Sequence, residues 1–296
     1  MKRFLTPALS AFAIALTSLA SVNAAAAADQ ITVGVIPIAD VAPIYLGRDK
    51  GFFTKQGLDL NLELAQGGAA IIPSVVSGQY QFGFSNVTSL IIAESRGLDF
   101  KIVAAGNSST GKKGHDFGGI VAPKDSPIKN AKDLEGKTVA VNNLKNIGDT
   151  TVKAAVRAAG GDPSKVKFVE LSFPDMPAAL AKKRIDAAWI VEPFLTITRG
   201  QGANVVSWCL VDTAPHMMIS GYFTSGNYYK QHPDAVKRFR AAMDESLEYA
   251  QNHPKEVRAE LLKYTKISEP LSQKINLPDY PVKINRESTQ TLADLA

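Results

Sequence analysis

The side chains able to hold a small molecule gather where apolar runs give way to helix-like segments. Ser85-Asn86 ends the run Phe82-Gly83-Phe84 and precedes a stretch that reads as a helix from about Thr88. A hydroxyl, an amide and the free N–H groups of a helix start can meet a polar solute there, or simply cap the helix. Gly67-Gly68 precedes Ile71, Ile72, Val75 and Val76 at helical spacing, and can expose N–H donors to an anion or polar edge. In NNLKNIGDTT (142–151), Asn146, Gly148 and Asp149 sit at a strand-to-helix turn, with Asp149 equally suited to cap its own helix. Glu192 follows the apolar run Ala187–Val191, where a carboxylate either complements a helix dipole or takes N–H donors from a ligand. Pro37, Ala39 and Asp40 stand at the end of the first apolar run and complete the candidate wall.

These are groups for binding, not for turnover. The four histidines are scattered, the single cysteine Cys209 lies in the apolar stretch VVSWCLV, and there is no G-x-S-x-G. A nucleophile with its base, or a metal cluster, is therefore not expected, and neither is a cofactor. Gly106–Lys112 follows a strand and matches a phosphate-binding loop up to its last position, where Lys113 replaces the Ser or Thr that would hold magnesium. His115 and Asp116 read as hinge or surface residues of that stretch. A formal net charge of +5 is too mild to argue for nucleic acid or a membrane surface. Cys209 cannot form an internal disulfide and reads as a buried thiol.

The elements that must position these groups begin after residues 1–28, which read as a secretory signal: Met1-Lys2-Arg3, a mostly apolar stretch, then small residues up to Ala28. No cysteine near the cleavage site could carry a lipid, so a free periplasmic protein without a membrane anchor is expected. Ile31–Ile38 reads as a buried strand and Val41–Lys55 as a helix. Leu58–Leu64 alternates leucine with polar residues and reads as a strand with one wet face. Further strands are expected at 82–84 and Phe100–Ala105, separated by helices, which gives a mostly parallel, doubly wound α/β sheet. After the Gly, Ser and Lys-rich stretch 106–119 a second α/β series follows, with strands at 120–122, 138–141, 166–171, 187–191 and 205–211. Met217–Phe223 is expected to return to the first unit, and Pro233–Asn252 and Pro254–Tyr264 read as amphipathic helices. The order of elements in 178–193 echoes that in 73–88. The expected organisation is therefore two lobes, 29–117 with 213–296 and 118–212, with Ser85-Asn86 and Glu192 on opposite walls of one cleft.

Four phrases resemble a known group: YLGRDKGFFTKQGLDLNLELAQGG (45–68), SGQYQFGFSNVTSLIIAESRG (77–97), DLEGKTVAVNN (133–143) and FPDMPAALAKKRIDAAWIVEPF (173–194). The group is the type II periplasmic solute-binding proteins of ABC importers, in the branch for nitrate, alkanesulfonate, taurine and thiamine-pyrimidine precursors. The resemblance covers nearly all of the chain after the signal. It implies two α/β lobes joined by two crossover strands, a solute trapped by hinge closure, and delivery to a membrane permease driven by a cytoplasmic ATPase. A monomer is expected, and an enzyme acting on a small heterocycle on the same fold is the alternative. The candidate acids Asp40, Asp149, Asp175 and Glu192, against Lys145 as nearby cation, tilt the expected solute toward a pyrimidine-like heterocycle with N–H donors rather than a sulfonate or nitrate-type anion.

Overall fold

The computed structural model describes residues 28–296, so the secretory-signal reading falls on residues outside those described. The first series runs β1 (Asp29–Val35), α1 (Ala42–Asp49), α2 (Phe52–Lys55), β2 (Leu58–Leu64), α3 (Gly68–Val76), β3 (Phe82–Asn86), α4 (Val87–Ser95) and β4 (Phe100–Ala105). The second runs β5 (Gly118–Ala122), β6 (Thr138–Val141), α5 (Ile147–Ala158), β7 (Lys167–Glu170), α6 (Met176–Ala181), β8 (Ala187–Val191), α7 (Phe194–Gly200), β9 (Asn204–Ser207) and α8 (Cys209–Thr213). The chain ends with β10 (Ser220–Ser225), α9 (Gly226–Gln231), α10 (Pro233–Asn252), α11 (Pro254–Tyr264), α12 (Glu269–Ser272) and α13 (Arg286–Leu295).

The strands form two five-stranded sheets, in the orders β2-β1-β3-β10-β4 and β7-β6-β8-β5-β9. β10 is antiparallel to both β3 and β4, and β5 is antiparallel to both β8 and β9. The remaining pairs are parallel. Each sheet thus has four parallel strands with one reversed strand inserted at the same place, the reversed strand being the first one laid down after the chain has crossed from the other sheet. The echo between 73–88 and 178–193 is the pair α3-β3-α4 and α6-β8-α7, whose strands hold equivalent places in the two sheets.

Burial explains which segments became which elements. All residues of β3 and β8 are buried, as the covered centre of a parallel sheet requires. β2 is an edge strand in which Leu58 and Leu60 are buried while Leu64 is 57% exposed, so the alternation holds at its start and lapses at its tip. In α10, Val236, Phe239, Met243, Leu247 and Ala250 lie on the buried face, and Phe239 stacks on Phe82 with ring centroids 3.8 Å apart. Two expectations fail: the helix expected over Val41–Lys55 breaks into α1 and α2 at Gly51, whose φ of 78° is left-handed, and 205–211 is not a single strand, because β9 stops at Ser207 and Cys209–Thr213 turns into a short helix beside α5. Cys209 and Leu210 are fully buried in that turn, and a short apolar run satisfies a buried helix as well as a buried strand.

Two segments join the sheets, 106–117 and 214–219, and they pair with each other. Ser109 N donates to Met217 O at 2.9 Å, and Ile219 N to Asn107 O at 2.9 Å. The C-terminal region adds a third rail: Ser108 N donates to Asp279 O at 2.9 Å, and Asp279 N returns to Ser108 O at 3.1 Å. Within the first crossover, the Ser109 and Thr110 groups of the phosphate-loop look-alike are held by the Asp116 carboxylate at 2.8 and 2.9 Å, which gives their polar atoms a structural role.

Candidate functional site

The carboxyl ends of the parallel strands of both sheets meet across a narrow cleft, as the rule for open α/β sheets predicts. Its lining comes from the end of β1 (Ile36, Ile38, Asp40), the end of β3 (Phe84, Asn86), and Ile219-Ser220 on one side. Asn142, Ile147, Phe173, Trp189 and Val191 form the other. The volume of the cleft is about 30 Å³. That is room for roughly two waters, whereas small-molecule sites span about 300 to 1,000 Å³; admitting a solute therefore requires the two sheets to part.

Asp40 is the charged residue of this lining. It is 3% exposed; Oδ1 accepts from Asn107 Nδ2 at 3.0 Å, and Oδ2 finds no partner among the described residues. Burial pushes its pKa up to about 7, against hydrogen bonds that pull it down. The lining holds no Lys, Arg or His. Its polar remainder is Asn86, Asn142 and Ser220, and its walls are aliphatic and aromatic, with Phe173 and Trp189 ring centroids 5.9 Å apart.

Of the other residues expected at the site, Asn86 lines the cleft but its Oδ1 also caps α4 by accepting Ser89 N at 2.8 Å. Pro37 is half-buried between the two lining isoleucines. Ala39 is fully buried and its backbone is spent: N donates to Glu192 O at 3.0 Å, and O accepts Tyr280 OH at 2.8 Å. Gly68 lies hard against Ser85, since a Cβ there would stand 2.3 Å from Ser85 Oγ. Gly67 faces the other sheet, where a Cβ would come within 2.0 Å of Asn143 Oδ1 and 2.7 Å of Asn142 Nδ2. Gln66 Nε2 reaches across the same gap to Asn142 O at 3.3 Å.

In the second lobe, Asn146 and Asp149 form a capping box. Asp149 Oδ1 accepts Asn146 N at 2.7 Å and Asn146 Oδ1 accepts Gly148 N at 2.7 Å, while Lys153 stands 3.6 Å from Asp149 Oδ2. Asn146 also donates to Asn142 Oδ1 at 3.2 Å, so it props a lining residue without joining the lining. Gly148 packs against Val141 and Trp189. Asp175 and Lys145 are exposed.

The reading of Glu192 as a ligand-facing wall residue is corrected. Its carboxylate is fully buried away from the cleft lining, accepting Thr196 N at 3.0 Å and Thr196 Oγ1 at 2.7 Å, which caps α7, and Asn276 N at 3.2 Å. Burial raises its pKa to about 7 despite those bonds. Asn276 in turn donates to Asp116 O at 3.1 Å, so Glu192 ties the second sheet to a crossover and to the C-terminal region.

The lining also holds residues outside the expected set, among them Phe84, Asn142, Phe173, Trp189 and Ser220. One signal could have found two of them: Phe84 and Trp189 are each the third residue of equivalent strands in the echoed units. Among the described residues no group of three or more His, Cys, Asp or Glu side chains could hold a metal ion.

A family model described as NMT1/THI5 like matches residues 38–257. The chain belongs to that family. Among relatives of this NMT1/THI5-like chain, a protein of Brucella abortus (strain 2308), named only as a binding protein, is 28% identical over 264 residues, covering 86% of this chain and 78% of the relative. The formylaminopyrimidine-binding protein of Halalkalibacterium halodurans is 25% identical over 171 residues, 58% of this chain and 49% of the relative. In structure, the chain is similar to the periplasmic aliphatic sulphonate binding protein SsuA from Escherichia coli, with TM-score 0.72 at 20% identity over 90% of this chain and 91% of that one. That likeness gives the NMT1/THI5-like chain the two-lobed periplasmic binding protein fold. No described helix is long and apolar enough to cross a membrane.

Proposed function

We propose that this chain is the periplasmic solute-capturing component of an ABC importer, that it closes on a small, flat heterocycle bearing N–H donors, pyrimidine-like in character, and that it delivers this solute to a membrane permease. The observation that carries the substrate class is the half-satisfied Asp40 carboxyl in an otherwise uncharged, aromatic-walled cleft. A buried acceptor without a partner favours a solute that brings a donor. A sulfonate or nitrate would enter a desolvated site next to an acid and without a cation, an arrangement in which burial and like charge act in the same unfavourable direction. The aromatic and aliphatic walls suit a flat ring. The formylaminopyrimidine-binding relative, matched over 171 residues, supports this class, and the likeness to the periplasmic binding protein SsuA supports the capture role.

Calorimetry on the mature protein tests it, at about one pH unit above the Asp40 value so that the carboxyl is ionised. Aminopyrimidines are expected to bind, and taurine, ethanesulfonate and nitrate to give no heat. Asp40→Asn, which replaces one carboxylate oxygen by an NH2 donor and removes the charge, is expected to weaken aminopyrimidine binding at least about tenfold, or ~1.4 kcal/mol. Sulfonate or nitrate binding by the unmodified chain, with no response to any heterocycle, overturns the assignment.

A further inference from the structure

The Asp40 carboxyl does not stand alone at the cleft. Its clamped oxygen is held by Asn107, the second residue after β4 on the first crossover, and the Asn107 side-chain oxygen accepts the hydroxyl of Ser220, the first residue of β10 where the second crossover ends. Ser220 Oγ also accepts Asn107 N at 3.2 Å, and Ile219 N donates to Asn107 O at 2.9 Å. All members are buried: Asn107 0%, Ser220 1% and Asp40 3% exposed. Asn107 therefore spends its whole side chain on one job, with Nδ2 on the cleft carboxyl and Oδ1 on the other crossover.

We propose that Asn107 is the positioning residue of the cleft: it clamps one oxygen of Asp40, ties that carboxyl to both crossovers through Ser220, and leaves the second oxygen as the acceptor offered to the solute. Geometry gives the reason for an amide here. A group that must donate to a carboxylate on one side and accept from a hydroxyl on the other needs both an N–H and an oxygen, which Asn supplies and an apolar or acidic side chain of similar size does not. The arrangement also couples recognition to hinge movement, because the residue that orients the acceptor lies in the paired backbone about which the sheets turn. The coupling rests on the proposed solute class, while the positioning of Asp40 does not.

Removing the Asn107 donor takes away one of the bonds that hold the Asp40 carboxyl ionised against burial, so its titration moves to higher pH. The titratable groups facing Asp40 are Asp116 of the first crossover, Tyr222 of β10, Tyr264 of α11 and Tyr280 of the C-terminal region. The three tyrosines are held well above their usual range and stay neutral throughout, and Asp116 is raised by burial in its own right.

The test is a carbon-13 NMR titration of the Asp40 carboxyl in the mature protein and in Asn107→Leu and Asn107→Gln, with Asp116→Asn as background to remove the neighbouring acid. Asn107→Leu is expected to raise the Asp40 midpoint, and Asn107→Gln to restore it in part. Aminopyrimidine affinity against pH should show the same displacement, with loss of at least about tenfold for Asn107→Leu near neutrality. An unmoved Asp40 midpoint in a folded Asn107→Leu protein overturns the assignment whatever the solute proves to be. If Asn107→Leu does not fold, Ser220→Ala, which frees the far end of Asn107, must move the midpoint in the same direction, and its failure to do so is equally decisive. Absence of any heterocycle binding, with the midpoint displaced as expected, refutes the solute class and leaves the positioning intact.

Discussion

Replacing Gly67 by alanine separates closure of the cleft from folding of the lobes. Gly67 has φ −175°, an extended conformation open to any residue, so the substitution adds no backbone strain. The added methyl would stand 2.0 Å from Asn143 Oδ1 and 2.7 Å from Asn142 Nδ2, both on the opposite sheet's side of the gap. Both atoms end side chains: Asn142 is held by Asn146 at 3.2 Å, whereas Asn143 Oδ1 has no partner among the described residues but is 6% exposed and has little room to turn, so either these side chains shift or the sheets stay apart. Overfilling a packed contact costs about 1–3 kcal/mol, and here the cost falls on the shut arrangement alone. Solute affinity should then drop roughly 5- to 150-fold, measured by calorimetry, with less compaction on solute addition in small-angle scattering. Gly200→Ala, where the new methyl meets open space, serves as control. Affinity within about twofold of the unmodified chain, with full compaction, would show that the two walls do not meet as described and refute the reasoning.

Gly68→Ala should behave oppositely: its methyl would lie 2.6 Å from Ser85 Cα within one lobe, a clash that opening cannot relieve, so the melting temperature should fall by several degrees, roughly 2–4 °C per kcal/mol in a chain of this size. Trp189 and Trp208 are the two tryptophans, and Trp189 lines the cleft. Solute binding should change intrinsic fluorescence in Trp208→Phe and leave it unchanged in Trp189→Phe, and a response that survives Trp189→Phe would argue against solute contact there. Asp40 and Glu192, raised by burial from 3.8 and 4.5 to about 7, bind protons more tightly folded than unfolded. Their contribution to stability is complete below their ordinary values and is lost as pH rises toward and through 7, on the order of a few kcal/mol each. Denaturant titrations between about pH 4 and pH 8 should show stability falling across that window, with a shallower slope in Asp40→Asn; a slope unchanged by that substitution would contradict the buried assignment.

Much of the fold could be read from the chain because its strongest signals are local. The spacing of Val236, Phe239, Met243 and Leu247 foretold α10 to the residue, and the echoed units foretold two equivalent halves. What stayed hidden depends on partners distant in sequence. Asp40, Asp149 and Glu192 look alike on paper, yet one is left half-satisfied at the cleft while another caps its own helix three residues away. The third is taken up by Thr196 and by Asn276, which lies far along the chain. Nothing in Ser220–Ser225 says that the strand will run opposite to its neighbours, since an apolar run carries no direction. Trp189 and Phe173 carry no mark of a wall residue in the sequence, because a closed cleft is a core: its walls must bury when the lobes meet.

The place of β10 has a consequence for how the molecule is made. β3 and β4 are not neighbours, and the gap between them is filled by a strand encoded after the whole second sheet. A chain emerging from its amino end therefore carries two raw β edges in the middle of an unfinished layer, while residues 118–207 already contain every strand of theirs. The later half can mature first, and the earlier half waits for the tail to return, with edges that invite pairing with other chains in the interval.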